Sequence, residues 1–283
     1  MKRFLPIPVR QMIGSLMLLL CGGATSATLP TVREQTPAAA PRRIVSLNLC
    51  ADQLVLALAD RSQIAGLTHN ATDVEMSAAA TQAKGLPILS GSAEEVLAAD
   101  PDLIVGMSPQ RHPAATALDP ARYAVVDLTS ADTYEAIVAS VRQVAKAVGH
   151  PARGEALIAA MNADLARIGQ ARPGLVAAYY QRRGYMTGTG TLIDELMQRV
   201  GLANLAAKID KPPLSQMSLE EMVAARPDYL ILESATERVA DQGTEMLHHP
   251  ALAGMKRISI PQAWTVCGGP AYVKAARALA AAR

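Results

Sequence analysis

The chain has 283 residues, half of them hydrophobic, which is enough to build two domains of ordinary size. Aromatic residues make up only 3% of the sequence, which argues against a stacking surface for single-stranded nucleic acid. The formal charge is +2, but Lys2, Arg3 and Arg10 lie in a predicted targeting segment. Without these three, the chain has 24 of its 27 basic residues and 25 acidic residues. This balance argues against a nucleic-acid partner and against an anionic membrane surface.

The N-terminus is predicted to direct export. Residues 1–27 have the layout of a secretory signal peptide, with basic residues, an apolar stretch at 12–21 and small residues up to Ala27, where we expect cleavage. The apolar stretch is too short for a comfortable membrane span. Cys21 leaves open a lipoprotein form, which the bulky residue before it disfavours. Residues 28–41 are rich in proline, alanine and threonine and are predicted to be a flexible lead-in.

Short apolar segments rich in β-branched residues then alternate with helical patterns. The first strand is predicted at 43–48, and the helix after it at 51–60. Further strands are predicted at 64–68, 86–89, 102–107 and 123–128. Strands that alternate with helices in this way are typical of a parallel sheet covered by helices.

The middle of the chain has a different pattern. Two helix-like stretches, 132–149 and 152–171, follow one another with no strand between them, and the second is predicted to be a rigid connector. A second α/β block then opens with a strand at 175–180 and a helix at 192–201. It closes with a short strand at 257–260 and a last helix that begins near residue 271.

Two segments of the chain repeat each other. Residues 92–105 read SAEEVLAADPDLIV and residues 218–231 read SLEEMVAARPDYLI, with seven of fourteen positions identical. Chance would give roughly one identity in such a window. Each copy is typical of a short helix, a Pro-Asp break and a buried strand, a unit that cannot bury its apolar face alone. The duplication therefore predicts two related α/β lobes, with a ligand in the cleft between them.

Taken together, these segments resemble the periplasmic substrate-binding proteins of ABC importers for iron chelates, haem and cobalamin. The resemblance covers about residues 42–282. It is carried by the opening RIVSLNLCADQLVLALAD, the two repeats, the segment GTGTLIDELMQRVGLANL, and HPALAGM before the terminal helix. It implies an α/β fold of two Rossmann-like lobes with mainly parallel sheets, at 42–150 and 173–283. One long helix at 151–172 would join them, with the ligand cleft between the lobes.

The resemblance also implies a function. The chain would be a monomeric periplasmic receptor with no catalytic activity and no resident cofactor. It would capture a metal chelate, with ferric siderophore expected first, cobalamin second and haem third, and deliver it to the permease subunits of an ABC importer. Lobe closure on the ligand would be modest, because the connecting helix limits it.

The repeats carry the residues expected to dock on the permease. In each copy the first serine is a natural helix N-cap, and the glutamate three residues later, Glu95 or Glu221, has the spacing of a capping box. The glutamate before it, Glu94 or Glu220, is not needed for capping. The family's docking glutamates fall on these two positions. The alternative is that they only favour the helix dipole.

Ligand contacts are expected at the carboxyl ends of the parallel strands. The side chains that follow predicted strands in this way are Asn48, Cys50, His69, Met107, Gln110, Arg111, Tyr179, Tyr180, Arg182, Tyr185 and Trp264. Arginines pair with carboxylates, and tyrosine rings pack on flat chelates. In the alternative interpretation Asn48 only caps a helix, one tyrosine and Trp264 belong to the core, and the arginines are solvated.

Cys50 and Cys267 remain after the predicted cleavage, one in each lobe. An exported protein meets an oxidising compartment, so the pair is a possible disulfide across the cleft. The alternative is two small buried thiols.

Other chemistry receives less support from the sequence. The five histidines show no H-E-x-x-H spacing, so no protein-bound metal is expected. A bare divalent-metal receptor of the same architecture remains the alternative function. The sequence has no G-x-S-x-G elbow, and a periplasmic enzyme is the less favoured alternative.

Overall fold

The structure of the protein, a computed structural model, describes residues 40–106, 122–169 and 174–283. The predicted signal peptide and nearly all of the lead-in lie outside these ranges. The strands are β1 (Ile44–Ser46), β2 (Ile64–Thr68), β3 (Ile88–Leu89), β4 (Leu103–Gly106), β5 (Ala124–Asp127), β6 (Val176–Tyr179), β7 (Tyr185–Thr187), β8 (Ala203–Asn204), β9 (Leu214–Gln216), β10 (Tyr229–Glu233) and β11 (Lys256–Ile260).

The helices of the same ranges follow in chain order. They are α1 (Leu49–Leu58), α2 (Ala80–Ala83), α3 (Ala93–Ala98), α4 (Tyr134–Ala147), α5 (Pro151–Leu165), α6 (Leu192–Arg199), α7 (Leu205–Lys208), α8 (Leu219–Ala225), α9 (Gln242–Glu245) and α10 (Tyr272–Ala281). Among the described helices, none is both long and apolar enough to cross a membrane.

The strands form two main sheets of matching topology. The N-terminal sheet has the order β3-β2-β1-β4-β5, and the C-terminal sheet has the order β11-β10-β6-β8; every pairing in both is parallel. β1, β2, β4 and β5 of the first sheet correspond to β6, β8, β10 and β11 of the second. A small antiparallel pair, β7 and β9, lies beside the second sheet. The predicted pair of mainly parallel α/β lobes is confirmed.

The Pro-Asp of each repeat has the same structural role in both lobes. The carboxylate of Asp102 accepts hydrogen bonds from the backbone N–H groups of Arg42 and Arg43, at 2.7 and 2.9 Å, just before β1. The carboxylate of Asp228 accepts one from the N–H of Val176, at 2.7 Å, where β6 begins. Each aspartate therefore ties the repeated strand to the first strand of its own lobe.

A second pair of aspartates also matches between the lobes. Asp52 of α1 is buried and accepts hydrogen bonds from the backbone N–H and hydroxyl of Thr68, at 3.1 and 2.5 Å, where β2 ends. Asp194 of α6 is buried and accepts one from the side-chain amide of Asn204, at 3.0 Å, in β8. In both lobes the helix after the first strand thus fixes the second strand. Buried polar groups need such partners to offset their desolvation.

The predicted connecting helix corresponds to α5, which follows α4 directly and packs against it. The two helices pack closely because α5 has a glycine, Gly154, where a Cβ atom would overlap the Cβ of Ala145 in α4. Helix α5 ends at Leu165, several residues before the end of the predicted connector at 172, and residues 170–173 lie outside the described ranges. Ile158 and Met161 of α5 are buried in a core cluster that includes residues of both lobes.

The two lobes also meet through a cluster of aromatic and charged side chains. The rings of Tyr134 in α4 and Tyr272 in α10 lie 5.4 Å apart, and the guanidinium of Arg199 lies 4.9 Å from the first and 5.6 Å from the second. Arg199 donates to the Tyr272 hydroxyl at 2.6 Å, and that hydroxyl donates to Glu195. The Tyr134 hydroxyl donates to the side chain of Asn162 at 2.7 Å. We call these five residues the clasp.

Removing one hydroxyl from the clasp should destabilise the protein. Tyr272 is fully buried, and Tyr272→Phe removes the hydroxyl that accepts from Arg199 and donates to Glu195, so we expect a loss of about 1–2 kcal/mol. For a protein of this size, each kcal/mol of lost stability lowers Tm by about 2–4 °C, which calorimetry can measure. Tyr229→Phe is the control, since Tyr229 is also buried but its hydroxyl makes no hydrogen bond within the described residues. Equal Tm values for the two variants would contradict the clasp.

Candidate functional site

A cavity of about 640 Å³ lies between the two lobes. This volume is within the usual range for small-molecule sites, about 300–1,000 Å³. Its walls come from the segments that follow β1, β2, β3 and β5 in the N-terminal lobe, and from the segment after β11 together with the start of α6 in the C-terminal lobe. The cleft is therefore at the carboxyl ends of the strands, where the parallel topology predicts it.

The N-terminal wall is polar and held from behind by buried hydrogen bonds. Asn48, Thr68 and His69 line it, and Asn48 also caps α1 by accepting a hydrogen bond from the N–H of Ala51 at 2.9 Å. Asp52 lies under this wall and holds Thr68. Burial raises the pKa of Asp52, while its hydrogen bonds from Thr68 act in the opposite direction. The side chain of Asn48 thus caps the helix at the edge of the cavity, and its contact with ligand stays a prediction.

The C-terminal wall is the segment from Thr265 to Gly268, with a polar group behind it. Glu233, at the end of β10, is buried and accepts hydrogen bonds from the hydroxyl of Tyr179 at 3.3 Å and the side-chain amide of Gln181 at 3.0 Å. Burial raises the pKa of Tyr179, and the negative charge of Glu233 adds to the effect. Tyr179 therefore supports the wall from behind and does not line the cavity.

A disulfide joins the two walls. Cys50, in the first turn of α1, and Cys267, after β11, have their sulfur atoms 2.12 Å apart and their Cα atoms 5.3 Å apart. Both residues line the cavity. Next to the bond, Gly268 approaches the backbone of Ala131 so closely that a Cβ atom there would overlap the Ala131 carbonyl. The lobes are therefore in direct contact at this end of the cleft.

The other predicted ligand residues lie in different places. Tyr180 is fully buried on the opposite side of the sheet and donates a hydrogen bond to the carbonyl of Met217 at 2.9 Å, so contact with ligand does not fit this position. Burial raises the pKa of Tyr180 to about 12, and the negative charges of Glu220 and Glu221 add to this effect.

Three more of the predicted side chains are not part of the cavity lining. Arg182 is exposed and forms an ion pair with Asp241, which explains its position without a ligand. Tyr185, at the start of β7, is 37% exposed, and Trp264 packs against the core directly before the cleft wall. Met107, Gln110 and Arg111 lie outside the described residues.

Several lining segments were not predicted. They are the turn at Ser90 and Gly91 after β3, and the stretch from Thr129 to Asp132 after β5. The same rule about strand ends would have found both, had it been applied to every predicted strand. Leu192, at the start of α6, had no such signal, because it reaches the cavity only through the arrangement of the two lobes.

The two predicted docking glutamates have similar surroundings. Glu94 and Glu220 are exposed in the first turns of α3 and α8, each behind a serine N-cap. A shallow groove, lined by Leu219, Val223, Ala224 and neighbouring residues, runs beside Glu220. Among the described residues, no group of three or more histidine, cysteine, aspartate or glutamate side chains could hold a metal ion.

The sequence belongs to the periplasmic binding protein family, whose profile matches residues 44–258. Among curated proteins, it is similar to a cobalamin-binding protein of Halobacterium salinarum, with 26% identity over 205 residues. That match covers 70% of this chain and 56% of the relative, so the chain spans little more than half the length of the curated relative.

Solved structures share the fold. The apo form of the periplasmic heme-binding protein RhuT from Roseiflexus sp. RS-1 is 26% identical, with a TM-score of 0.66, covering 85% of this chain and 97% of that one. A periplasmic heme-binding protein from Pseudomonas aeruginosa is 24% identical, with a TM-score of 0.67 and coverages of 86% and 92%. The vitamin B12-binding protein BtuF of Vibrio cholerae is 15% identical, with a TM-score of 0.62 and coverages of 85% and 96%.

The disulfide can be tested by counting thiols. Protein purified from the periplasm and denatured should show no reactive thiol at Cys50 or Cys267, and two after reduction. Because the bond spans 217 positions of the chain, the chain-entropy model predicts that Cys50→Ser with Cys267→Ser lowers stability by about 2–5 kcal/mol. Two reactive thiols before reduction would contradict the bond.

Proposed function

We propose that this protein captures a macrocyclic metal chelate, a haem or a cobalamin, in the periplasm and delivers it to an ABC importer. The observation that carries the proposal is the cavity between two lobes at the carboxyl ends of their strands, in a chain of the periplasmic binding protein family. The curated relative and the three solved structures named above are described as cobalamin-binding, heme-binding or vitamin B12-binding, which favours these two chelates over the ferric siderophore that we expected first. All are binding proteins, and this supports a receptor and not an enzyme.

Among the described residues that line the cavity, one side chain is suited to the metal of such a chelate. His69 is exposed at the end of β2 and lines the cavity, and a neutral imidazole is a good ligand for iron and similar metals. Around it, Asn48, Thr68 and Asn70 provide neutral hydrogen-bonding groups for the periphery of a macrocycle.

Binding can be tested with purified mature protein. We expect haemin or cyanocobalamin to bind, with a change in visible absorbance and quenching of the single tryptophan, Trp264, which lies next to the cleft wall. His69→Ala should weaken haem binding about tenfold or more and shift its absorbance, because it removes the metal ligand. His249→Ala, far from the cavity lining, is the control.

The binding test has two outcomes that would overturn the proposal. One is no binding of either haemin or cyanocobalamin, whether or not a ferric siderophore binds. The other is tight binding of zinc or manganese ions alone, which would favour the bare-metal receptor.

We further propose that Glu94 and Glu220 dock on basic residues of the permease. Each is exposed in the first turn of a duplicated helix whose cap is supplied by other side chains, so the carboxylate is available to a partner. Two acidic side chains on separate lobes would fix the orientation of the receptor and speed its encounter with a basic surface.

The docking role predicts a defect in transport only. Replacing both Glu94 and Glu220 with glutamine should leave Tm and ligand affinity unchanged and reduce ligand-dependent uptake in reconstituted vesicles, more than either single change. The matched control is Glu135→Gln with Glu245→Gln, since these are also exposed first-turn glutamates, one in each lobe. Normal uptake by the Glu94/Glu220 double variant at a limiting receptor concentration would show that the docking assignment is wrong.

A further inference from the structure

The two copies of the repeat differ in one hydrogen bond. In α8 the carboxylate of Glu221 accepts from the N–H of its own cap, Ser218, at 2.7 Å and so completes the capping box. In α3 the hydroxyl of Ser92 accepts from the N–H of Glu95 at 3.2 Å, as in the other copy. The Glu95 carboxylate, however, passes its cap and accepts from the N–H of Ser90. The predicted capping box is therefore complete in the C-terminal lobe only.

The residue that Glu95 holds belongs to the cleft. Ser90 and Gly91 follow β3 and line the cavity. They are exposed, and Gly91 has φ +92°, a left-handed turn that glycine adopts without strain. Among the described strands, β3 pairs only with β2, and its two residues lie at the edge of the sheet. The short strand gives the turn after it little backbone support, and the Glu95 carboxylate adds a hydrogen bond from the side of the helix.

The same helix turn carries the proposed docking residue. Glu94 is exposed, and its carboxylate makes no hydrogen bond or ion pair within the described residues. Neighbouring residues of a helix do not share a face, so Glu94 and Glu95 have different surroundings. Glu94 is open to a partner, whereas the Glu95 carboxylate is held at Ser90.

We propose that Glu95 is a positioning residue of the cleft: its carboxylate holds the Ser90–Gly91 rim of the cavity. The proposal rests on the proposed function, because this rim borders the cavity in which the ligand is proposed to bind. The role belongs to the N-terminal lobe alone, since in α8 the equivalent carboxylate is used by its own cap and lies 3.5 Å from the ammonium of Lys211.

The rim can be tested without any ligand. Amide exchange of Ser90, followed by NMR in the unliganded protein, should be about three- to tenfold faster in Glu95→Ala, the effect of losing one hydrogen bond. Glu221→Ala is the matched control and should leave Ser90 unchanged.

A second measurement tests the consequence for binding. Haemin or cyanocobalamin, whichever binds the wild type, should dissociate about three- to tenfold faster from Glu95→Ala than from Glu221→Ala, with both variants keeping the thermal stability of a folded protein. Glu95→Gln, which keeps an acceptor oxygen, should restore part of the effect. Unchanged exchange at Ser90, or equal dissociation from the two alanine variants, would overturn the proposal. Failure of the wild type to bind any chelate would instead overturn the proposed function, and the exchange measurement would still decide the role of Glu95.

Discussion

The contact between the segment from Thr265 to Tyr272 and the N-terminal lobe determines the shape of the cleft. At one end of this segment Cys267 is bonded to Cys50 and Gly268 lies against Ala131. At the other end Tyr272 joins the clasp. The cavity exists because this contact brings the carboxyl ends of two separate sheets to face each other. Without it, the carboxyl ends of the strands in each lobe would face away from a partner sheet.

This contact changes what can be expected of lobe movement. A single connecting helix would let the lobes rotate about one hinge, whereas here they are joined at the α4–α5 pair and again beside the cleft. Two separate connections leave a smaller range of motion than one. A receptor built in this way presents a largely preformed cleft, which reduces the entropy lost on binding. The Ser90–Gly91 rim, which a single side chain holds from the helix, is less firmly fixed than the walls joined by the disulfide.

Buried carboxylates hold the walls of the cleft in place. Asp52 fixes Thr68 from behind the N-terminal wall, and Glu233 fixes Tyr179 and Gln181 behind the C-terminal one. Their partners are neutral donors, so each wall is kept by a hydrogen-bond network and not by an ion pair. In a low-dielectric interior such networks are strong when complete and costly when broken. They position the side chains that face the cavity without adding a charge to it.

The sequence by itself determined the two lobes, because the repeats at 92–105 and 218–231 each contain the pattern of a short helix, an aspartate and a buried strand. It also placed Asn48, Cys50 and His69 at the cleft, since strand ends can be found from apolar periodicity. Only the tertiary structure decided which side of a strand each tyrosine occupies: Tyr179 and Tyr180 are neighbours in sequence and point to opposite faces. It alone decided that Leu192 and Ser90 share a cavity, and that Glu95 bonds to Ser90 while Glu221 bonds to its own cap. The same local sequence pattern forms different hydrogen bonds in the two lobes because the available partners depend on how the surrounding segments fold.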